Sequence, residues 1–556
     1  MRLPKRGAGS SVTRRLLAFS GALAVAAGLL TSLAPVASAA DSTTDLGVLM
    51  PSVASRSGVV AAGGGKVFVS ANTRIIVTDT RGVLTGSITG LSAAAGLALS
   101  PDGTRLYAAL GGSHQVAEVD TADLTIIRRI DLTAYPCPVN LSLSGSRLWV
   151  GHGCYRETGG GVIGLDLSAP VPVPVPVPID ADTFDAPRVA AAGDTLAVAN
   201  TSAESSDLLI YDVSGTSATL RGTIESHPND QGLPNDLALT PDGSTVISVD
   251  ADTHQLAAWD ATSLAKVRDY ATEAADSPAA VAISPDGAHI AGGWKSAFTL
   301  YGTPTATTLH QTTPPAANSL GSLAFSGADV FGVLRGNNDK RLRLWRLHGV
   351  TLPPSQLTLT GPSRATAYEE FTLTGRLTLS DGSAPGVQTL TLTRRSPISG
   401  SPVTPLPDVT TAADGTFTIT DTQPPTKVTY DVLWNGSTDH RWSKAHRTIS
   451  ITLPPSSLTL SGPSEGSVGE QLQFSGVLKA GDRVFPPTTT LKVHRALARA
   501  DLTQLFELTP APDGSFSFTD TPTGPGEYTY AVEWEGDISH RGTWVERDVT
   551  VLEQQE

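Results

Sequence analysis

The sequence is poor in cysteine, in basic residues and in long apolar runs. Only Cys137 and Cys154 occur among 556 residues, without C-x-x-C spacing, so neither a thiol metal centre nor a redox carrier is indicated. The 39 Lys and Arg are outnumbered by 53 Asp and Glu, which makes nucleic acid and anionic membranes poor partners. After residue 40 no run of about 18 apolar residues is present to span a membrane. No catalytic motif stands out, so we predict no catalytic residues and no metal ligands.

Residues 1–40 have the layout of an export signal peptide. The basic start MRLPKRGAGSSVTRR precedes the apolar LLAFSGALAVAAGLL and the cleavage signal Ala37-Ser38-Ala39. Because this segment holds five basic and no acidic residues, the mature chain keeps 34 basic and 53 acidic side chains, a net charge of −19. Arg14-Arg15 fits either the twin-arginine or the general secretory route, and the choice stays open. We expect a protein that is secreted or held at the cell surface by binding.

The two cysteines of an exported chain predict a disulfide. A bond between Cys137 and Cys154 closes a loop of about 16 residues, which stabilises the fold by ~3 kcal/mol if chain entropy is the main term.

A short apolar strand recurs seven times between residues 45 and 350. The copies are KVFVSA (66), RLYAAL (105), RLWVGH (147), TLAVAN (195), TVISVD (245), HIAGGW (289) and DVFGVL (329), at intervals of 39, 42, 48, 50, 44 and 40 residues. Most follow another strand and a tight turn, and in three copies this turn is Asp-Gly, the strongest short hairpin signal. We therefore interpret Asp102, Asp242 and Asp286 as turn formers. A third strand follows in each copy, and a fourth follows in all but the last. Four antiparallel strands per repeat predict a seven-bladed β-propeller.

The segment LALSPDGTRLYAALGGSHQVAEVDTADLTIIRRIDL closely resembles the bacterial YVTN-type propeller repeat, which is related in architecture to WD-repeat and lactonase-like seven-bladed proteins. The resemblance covers residues 45 to about 350 and is strongest in the second and fifth copies. It implies the fold and leaves the function open, because related propellers range from binding modules to enzymes.

Two irregular segments are explained by the repeat. The run APVPVPVPVPID (169–180) could be an interdomain linker, but its distance from Asp166 matches a fourth, outermost strand. Prolines at alternate positions of an edge strand can all face solvent, where no ladder hydrogen bond is lost and no foreign strand can dock. The last copy lacks a fourth strand, and TDLGVLMPS (44–52) precedes the first copy. We therefore expect the N-terminal segment to supply the outer strand of the last blade.

A second repeat occupies the C-terminal part of the chain. TLPPSQLTLTGPS is followed 101 residues later by LPPSSLTLSGPS, and YDVLWNGSTDHR returns as YAVEWEGDISHR. Short alternating strands with Pro and Gly turns predict two tandem Ig-like β-sandwiches, which resemble the bacterial Ig-like repeats of exported proteins. The predicted domains are the signal (1–40), the propeller (41–352), and the Ig-like domains (353–453 and 454–556). Tyr528 could form a tyrosine corner, and Asp439-His440-Arg441 and Ser539-His540-Arg541 are interpreted as loop residues.

The candidate binding residues lie on loops predicted to open on one face of the ring, the mouth. The disulfide would brace this face. The candidates are His152, Arg156, Glu157, His227, Asp230, Asn235, Asp236, Asp252, His254 and Trp294. The loop HPNDQGLPND (227–236) could supply oxygen ligands to calcium or hold a carbohydrate. Asx turns in a solvated loop are the explanation that we favour, so no cofactor is assigned and calcium stays an option. The repeated Ser/Thr-His-Gln at His114 and His254 indicates a structural role in these loops.

Two functions remain compatible with the sequence. The first is a secreted, non-catalytic binding or scaffold protein, monomeric, whose propeller binds an extracellular protein or a cell-wall glycan and whose Ig-like domains act as spacers or adhesive modules. The second is a lactonase-like or lyase-like hydrolase acting at the mouth. Because the candidates contain a single Glu and scattered histidines, we favour binding.

Overall fold

The computed structural model describes residues 41–49, 56–155, 157–179, 185–199, 207–225, 236–250, 255–270, 278–315, 318–397, 402–498 and 500–553. These residues form 45 β-strands and no helix. They belong to one compact unit, Ser38–Glu556.

The chain begins with β1 (Ser42–Leu49) and continues with groups of four consecutive antiparallel strands. Sheet one contains β2 (Val60–Gly63), β3 (Lys66–Ala71), β4 (Arg74–Asp79) and β5 (Leu84–Ile88). Sheet two contains β6 (Ala94–Leu99), β7 (Arg105–Leu110), β8 (Gln115–Asp120) and β9 (Ile126–Asp131). Sheet three contains β10 (Pro138–Ser144), β11 (Arg147–His152), β12 (Gly161–Asp166) and β13 (Val175–Pro176).

The remaining sheets of this region follow the same order. Sheet four contains β14 (Arg188–Ala192), β15 (Thr195–Ala199), β16 (Leu208–Asp212) and β17 (Thr219–Ile224). Sheet five contains β18 (Leu237–Leu239), β19 (Thr245–Asp250), β20 (Gln255–Asp260) and β21 (Lys266–Tyr270). Sheet six contains β22 (Pro278–Ile283), β23 (His289–Trp294), β24 (Phe298–Gly302) and β25 (Thr308–Thr312). Sheet seven contains β26 (Asn318–Ser326), β27 (Asp329–Gly336), β28 (Arg341–Leu347) and β1.

The sheets are arranged as a β-propeller. The first strand of each sheet contacts the first strand of the next, and β26 of sheet seven contacts β2 of sheet one, so the ring is closed. Middle strands are covered on both faces by neighbouring sheets and are therefore almost continuously apolar, as in β7 (RLYAAL). Outer strands such as β9 (IIRRID) alternate between exposed and buried residues. This confirms the all-β propeller predicted from the repeat.

Asp-Gly turns join the first two strands where the sequence predicts them. The Asp102 carboxylate accepts hydrogen bonds from the Thr104 amide at 3.0 Å and the Ser100 hydroxyl at 2.5 Å, and Gly103 has φ of 71°. Asp242 and Asp286 accept the equivalent amide bonds at 3.1 and 3.0 Å. All three are confirmed as turn formers.

The ring is closed by the N-terminal strand. β1 pairs antiparallel with β28, with Ser42 opposite Arg346 and Asp45 opposite Arg343. The Arg341 guanidinium also contacts the Asp45 carboxylate at 3.2 Å. The prediction that the N-terminal segment supplies the missing outer strand is confirmed.

The Val-Pro segment forms the outer edge of sheet three. β13 pairs with β12, with Pro176 opposite Ile163. The Val177 amide donates to the Val162 carbonyl at 2.8 Å, while Val171 and Val173 are 77% and 69% exposed. The segment is therefore an edge strand of the propeller and not a linker, as its spacing predicted.

Two C-terminal modules follow, each made of two sheets. In module one, β29 (Ser355–Thr360), β31 (Glu370–Leu379) and β35 (Thr416–Thr422) form one sheet. The other contains β30 (Arg364–Thr366), β37 (Ser443–Thr452), β36 (Thr426–Trp434), β32 (Thr389–Arg395) and β33 (Val403–Pro405), with β34 (Val409–Thr410) paired to β32. In module two, one sheet contains β38 (Ser457–Ser461), β40 (Leu472–Lys479) and β43 (Ser515–Asp520). The other contains β39 (Glu465–Ser467), β45 (Arg541–Leu552), β44 (Gly526–Gly536), β41 (Leu491–Leu497) and β42 (Thr503–Leu508).

Apolar packing and a repeated polar cluster hold each module together. Both sheets of a module contribute to one apolar core, which includes Trp434 in module one and Trp534 in module two. In module one, the Tyr430 hydroxyl donates to Asp421 at 2.5 Å, and Arg394 pairs with the same carboxylate at 2.8 Å. Tyr530, Asp520 and Arg495 repeat this cluster in module two.

The two His-Arg pairs lie at the entry of each module. The Arg441 amide donates to the Pro353 carbonyl, and the Arg541 amide donates to the Pro454 carbonyl, both at 2.9 Å. The Arg441 guanidinium also contacts His310 Nε2 of the propeller at 3.0 Å. The interpretation as loop residues is confirmed for Asp439-His440-Arg441 and for Ser539 and His540, but it is wrong for Arg541, which begins β45. Both segments connect their module to the segment that precedes it.

Candidate functional site

The mouth of the propeller is the face where the first strands begin and the second strands end. Cys137 lies just before β10 and Cys154 just after β11, and their disulfide joins the two loops with a Cα–Cα distance of 5.1 Å. The Cys137 amide donates to His114 Nδ1 at 3.0 Å. The predicted disulfide is confirmed, and His114 has the structural role that its loop indicated.

Six of the ten candidate residues lie outside the described residues. These are Arg156, His227, Asp230, Asn235, Asp252 and His254. Most of the loop 227–236 also lies outside the described residues. Its proposed oxygen ligands therefore stay a prediction. Within the described ranges, no group of three His, Cys, Asp or Glu side chains is placed to hold a metal ion.

His152 and Trp294 end two of the second strands and are both buried. His152 is 7% exposed, packs edge-on against Tyr135 at 5.3 Å, and has Nε2 close to Gly161. Burial lowers the pKa of His152 to about 4, so the ring is neutral at pH 7. Trp294 is fully buried in the core between sheets five and six. Both side chains support the mouth by packing, while Glu157 is exposed on the loop after the disulfide.

Asp236 belongs to a row of polar residues on the first strands. Asn140, Arg188 and Asp236 occupy equivalent positions in sheets three, four and five, 48 residues apart. Arg188 donates to Asn140 Oδ1 at 3.1 Å, and its charge interacts favourably with Asp236. The Asp236 carboxylate accepts the amides of Leu237 and Val281, each at 3.0 Å. This carboxylate therefore links sheet five to sheet six.

Two further arginines reach the same place from other sheets. Arg56, on the loop before β2, pairs with Asp185 at 2.6 Å and lies over the Tyr155 ring at 5.8 Å. Arg335, at the end of β27, donates to the Ser57 carbonyl at 3.4 Å. Neither was among the sequence candidates. Their positions in the repeat could have identified them, because both lie next to the end of a strand that faces the mouth.

The groups of this cluster influence one another's pKa. Burial lowers the pKa of Arg188, Asp236 opposes this change, and the positive charges of Arg56 and Arg335 add to it. Burial likewise raises the pKa of Asp236, against the effect of Arg188, and lowers the pKa of Arg335. The arrangement is a mainly cationic patch suited to hydrogen-bonding an anionic or strongly polar group.

Two grooves lie on the outer parts of the propeller, away from the mouth. One, between sheets five and six, has a volume of about 690 Å³ and is lined by Asp242, Tyr270, Asp286 and His289, among others. The other, about 190 Å³, lies between Trp149 and the Val-Pro strand. In the described part of the chain, no helix is long and apolar enough to cross a membrane.

The similarity of this chain to known proteins lies in its fold. No protein-family model and no curated protein matches the sequence. Similar solved structures include the β-propeller domain of Myceliophteria thermophila Cps50 (Swd1), with 16% identity over 55% of this chain and 99% of that chain and a TM-score of 0.42. Kuenenia stuttgartiensis hydrazine synthase matches with 14% identity over 54% and 97%, at a TM-score of 0.43. A chain of the mitotic checkpoint complex matches with 16% identity over 61% and 100%, at a TM-score of 0.45.

Proposed function

We propose that this chain is a secreted, non-catalytic binding protein. Its export signal would be removed near residue 40, leaving a monomeric seven-bladed β-propeller of the YVTN type that presents its mouth to an extracellular protein or a cell-wall glycan. The two modules would be Ig-like domains that act as spacers or adhesive units. For module two this is supported by the Tyr528 hydroxyl, which donates to the Gly524 carbonyl at 3.0 Å, as in a tyrosine corner.

The observation that carries this proposal is the polar patch at the mouth. Arg56, Arg188 and Arg335 converge there from three sheets, while the Asp236 carboxylate is already bonded to two backbone amides. Preorganised donors favour binding, because little side-chain entropy is lost when a ligand docks. A carboxylate that holds the backbone is poorly placed to move a proton to or from a substrate. No cofactor is required for this role.

The test is thermal unfolding of residues 41–556 with cell-wall glycans, lactones, calcium and a chelator. A ligand at a hundred times its dissociation constant stabilises by about 2.7 kcal/mol and raises the Tm by a few degrees. We expect a glycan or a protein partner, and neither calcium nor a lactone, to raise the Tm. Lactone hydrolysis that is lost in Asp236→Asn would instead establish the lactonase-like alternative.

A further inference from the structure

Three guanidinium groups share the centre of the propeller mouth. Arg56 precedes the first strand of sheet one, Arg188 opens sheet four, and Arg335 ends the second strand of sheet seven. Arg188 is hydrogen-bonded to sheet three through Asn140 and interacts with the charges of Arg56, Asp236 and Arg335. A group that interacts with sheets one, three, five and seven of a closed ring must lie at its axis.

The nearby carboxylates do not match these positive charges one to one. Asp185 pairs with Arg56, and Asp236 faces Arg188. Arg335 has no carboxylate partner within the described residues, and its Nε is buried without a hydrogen-bond acceptor there. Among those residues it makes one hydrogen bond, to the Ser57 carbonyl, which is long at 3.4 Å. Within the described part of the chain, the charge of the partly buried Arg335 is therefore poorly compensated.

A glycine makes room for this arginine. A Cβ atom at Gly321 would come within 2.9 Å of Arg335 Nε, whereas one at Gly58 would meet Nη2 at an ordinary contact distance of 3.5 Å. Gly58 also has φ of 92°, which favours glycine. The arginine thus lies against the first strands of sheets one and seven, at the mouth. An unpaired buried charge destabilises a fold unless another group pairs with it, so the arrangement is best explained by a ligand anion.

We propose that the propeller mouth is an oxyanion site, in which Arg335, with Arg188 and Arg56 beside it, binds a carboxylate or phosphate group of the ligand. The guanidinium fork matches the two oxygens of either group. This inference rests on the proposed binding function and names the chemical class of its ligand. Because the mature chain carries a net charge of −19, attraction of an anion depends on this local patch and not on the overall field.

Calorimetry on residues 41–556 tests the site with four probes: glucuronate, glycerol 3-phosphate, and the neutral glucose and glycerol. We expect one of the anions to bind and neither neutral compound to do so, and the preferred anion identifies the group as carboxylate or phosphate. Affinity should fall as salt rises. Binding of neither anion would overturn the proposal.

Variants assign the binding to this arginine. Arg335→Gln should weaken anion binding at least tenfold, while free Arg335→Gln should be as stable as the parent protein, because it loses an unpaired buried charge. Arg335→Lys keeps the charge without the fork and should give intermediate affinity. Arg81→Gln, on an exposed arginine of sheet one, is the matched control and should bind as the parent does. Equal affinity in the parent, Arg335→Gln and Arg335→Lys proteins would refute the assignment. If the Arg335→Gln protein does not fold, the affinity of the Arg335→Lys protein alone decides the assignment.

Binding of an intact acidic glycan separates the two proposals. If the glycan binds the parent and Arg335→Gln proteins equally, the oxyanion site is wrong and the binding function stands. If the small anions bind through Arg335 but no glycan or protein partner does, the site stands and the proposed function fails.

Discussion

One position on the first strand carries side chains that join neighbouring sheets of this propeller. Asn140 Nδ2 donates to the carbonyls of Ala186 and Pro187 in the next sheet, at 3.2 and 2.8 Å. Ser322, at the same position of sheet seven, accepts the Val60 amide of sheet one at 3.2 Å. Such side chains satisfy backbone groups where two first strands meet without a ladder between them.

Replacing Asn140 tests this role. Asn140→Ala leaves two carbonyls and one Arg188 donor without their partner, so we expect a loss of about 1–3 kcal/mol in the free energy of unfolding, measured by urea denaturation. Ser214→Ala, in the exposed turn after β16, is the control. A change below about 0.5 kcal/mol would show that water replaces the amide.

His152 predicts a dependence of stability on pH. Its folded pKa of about 4 lies below the ordinary value of 6.5, so between these two values the unfolded chain binds more protons than the folded one. The contribution of the neutral His152 ring to the free energy of unfolding is therefore fully present above about pH 6.5. It is lost as the pH drops towards 4, which lowers the free energy of unfolding by up to about 3 kcal/mol. His152→Gln should flatten the fall in Tm between pH 7 and 4.5, whereas a substitution at the exposed His446 should leave it unchanged. An unaltered slope in His152→Gln would contradict the assignment.

At the scale of elements, the outer strand of each sheet determines whether the edge of that sheet can pair with another chain. The Val-Pro strand presents prolines and exposed valines in place of a free hydrogen-bonding edge. Replacing Pro174 and Pro176 with Thr restores donors on this edge. We expect a folded protein with increased self-association, measured by light scattering against protein concentration. A variant with Val171→Thr is the control for surface polarity, and unchanged association in the double variant would contradict an edge-guarding role.

Deleting β1 removes one outer strand and the closure of the ring together. A chain starting at residue 56 exposes β28 and the apolar cluster under Leu46. We expect loss of cooperative unfolding or a fall in Tm above 10 °C, by calorimetry, since several core contacts and a whole strand ladder are lost. Arg341→Gln, which removes only the exposed ion pair with Asp45, should cost no more than about 1 kcal/mol. A truncated protein with the parent Tm would refute closure by β1.

The elements were predictable from the sequence because their signals are local. Apolar alternation, Asp-Gly turns and the spacing of the copies identify the strands, and the same spacing placed the Val-Pro segment and β1. The cluster at the mouth was largely missed, because an isolated Arg335 or Asn140 carries no local signal. These residues acquire a shared position only when seven sheets close into a ring. Asp236 was found as a loop residue, although it holds the start of β18.

At the scale of the whole molecule, a polar cluster connects the propeller to module one. Asp41 Oδ1 accepts the His348 amide at 3.0 Å. Burial raises the pKa of Asp41, while the charge of Arg441 and the hydrogen bond from the His348 amide oppose this change. Arg441 in turn contacts His310. Between the modules, the Tyr368 hydroxyl donates to the Ile538 carbonyl at 3.5 Å.

This cluster predicts a defined orientation of module one. Arg441→Ala removes the cation shared by Asp41 and His310, so we expect a broader distribution of interdomain distances and a larger maximum dimension in small-angle X-ray scattering. The exposed Lys444→Ala is the control. Identical scattering from the parent and Arg441→Ala proteins would show that the other contacts suffice.

Closure by β1 also dictates the order in which the propeller can be completed. Ser42 pairs with Arg346, so the strand that is synthesised first waits for the last strand of the ring before it has a partner. If the chain folds before export, this delay is roughly 15–60 s at a synthesis rate of about 5–20 residues per second. Contacts between such distant residues form slowly, and during the wait an unpaired β-strand is open to other chains. The protein should therefore depend on a holding factor, or on confinement of its N-terminal segment, during biosynthesis.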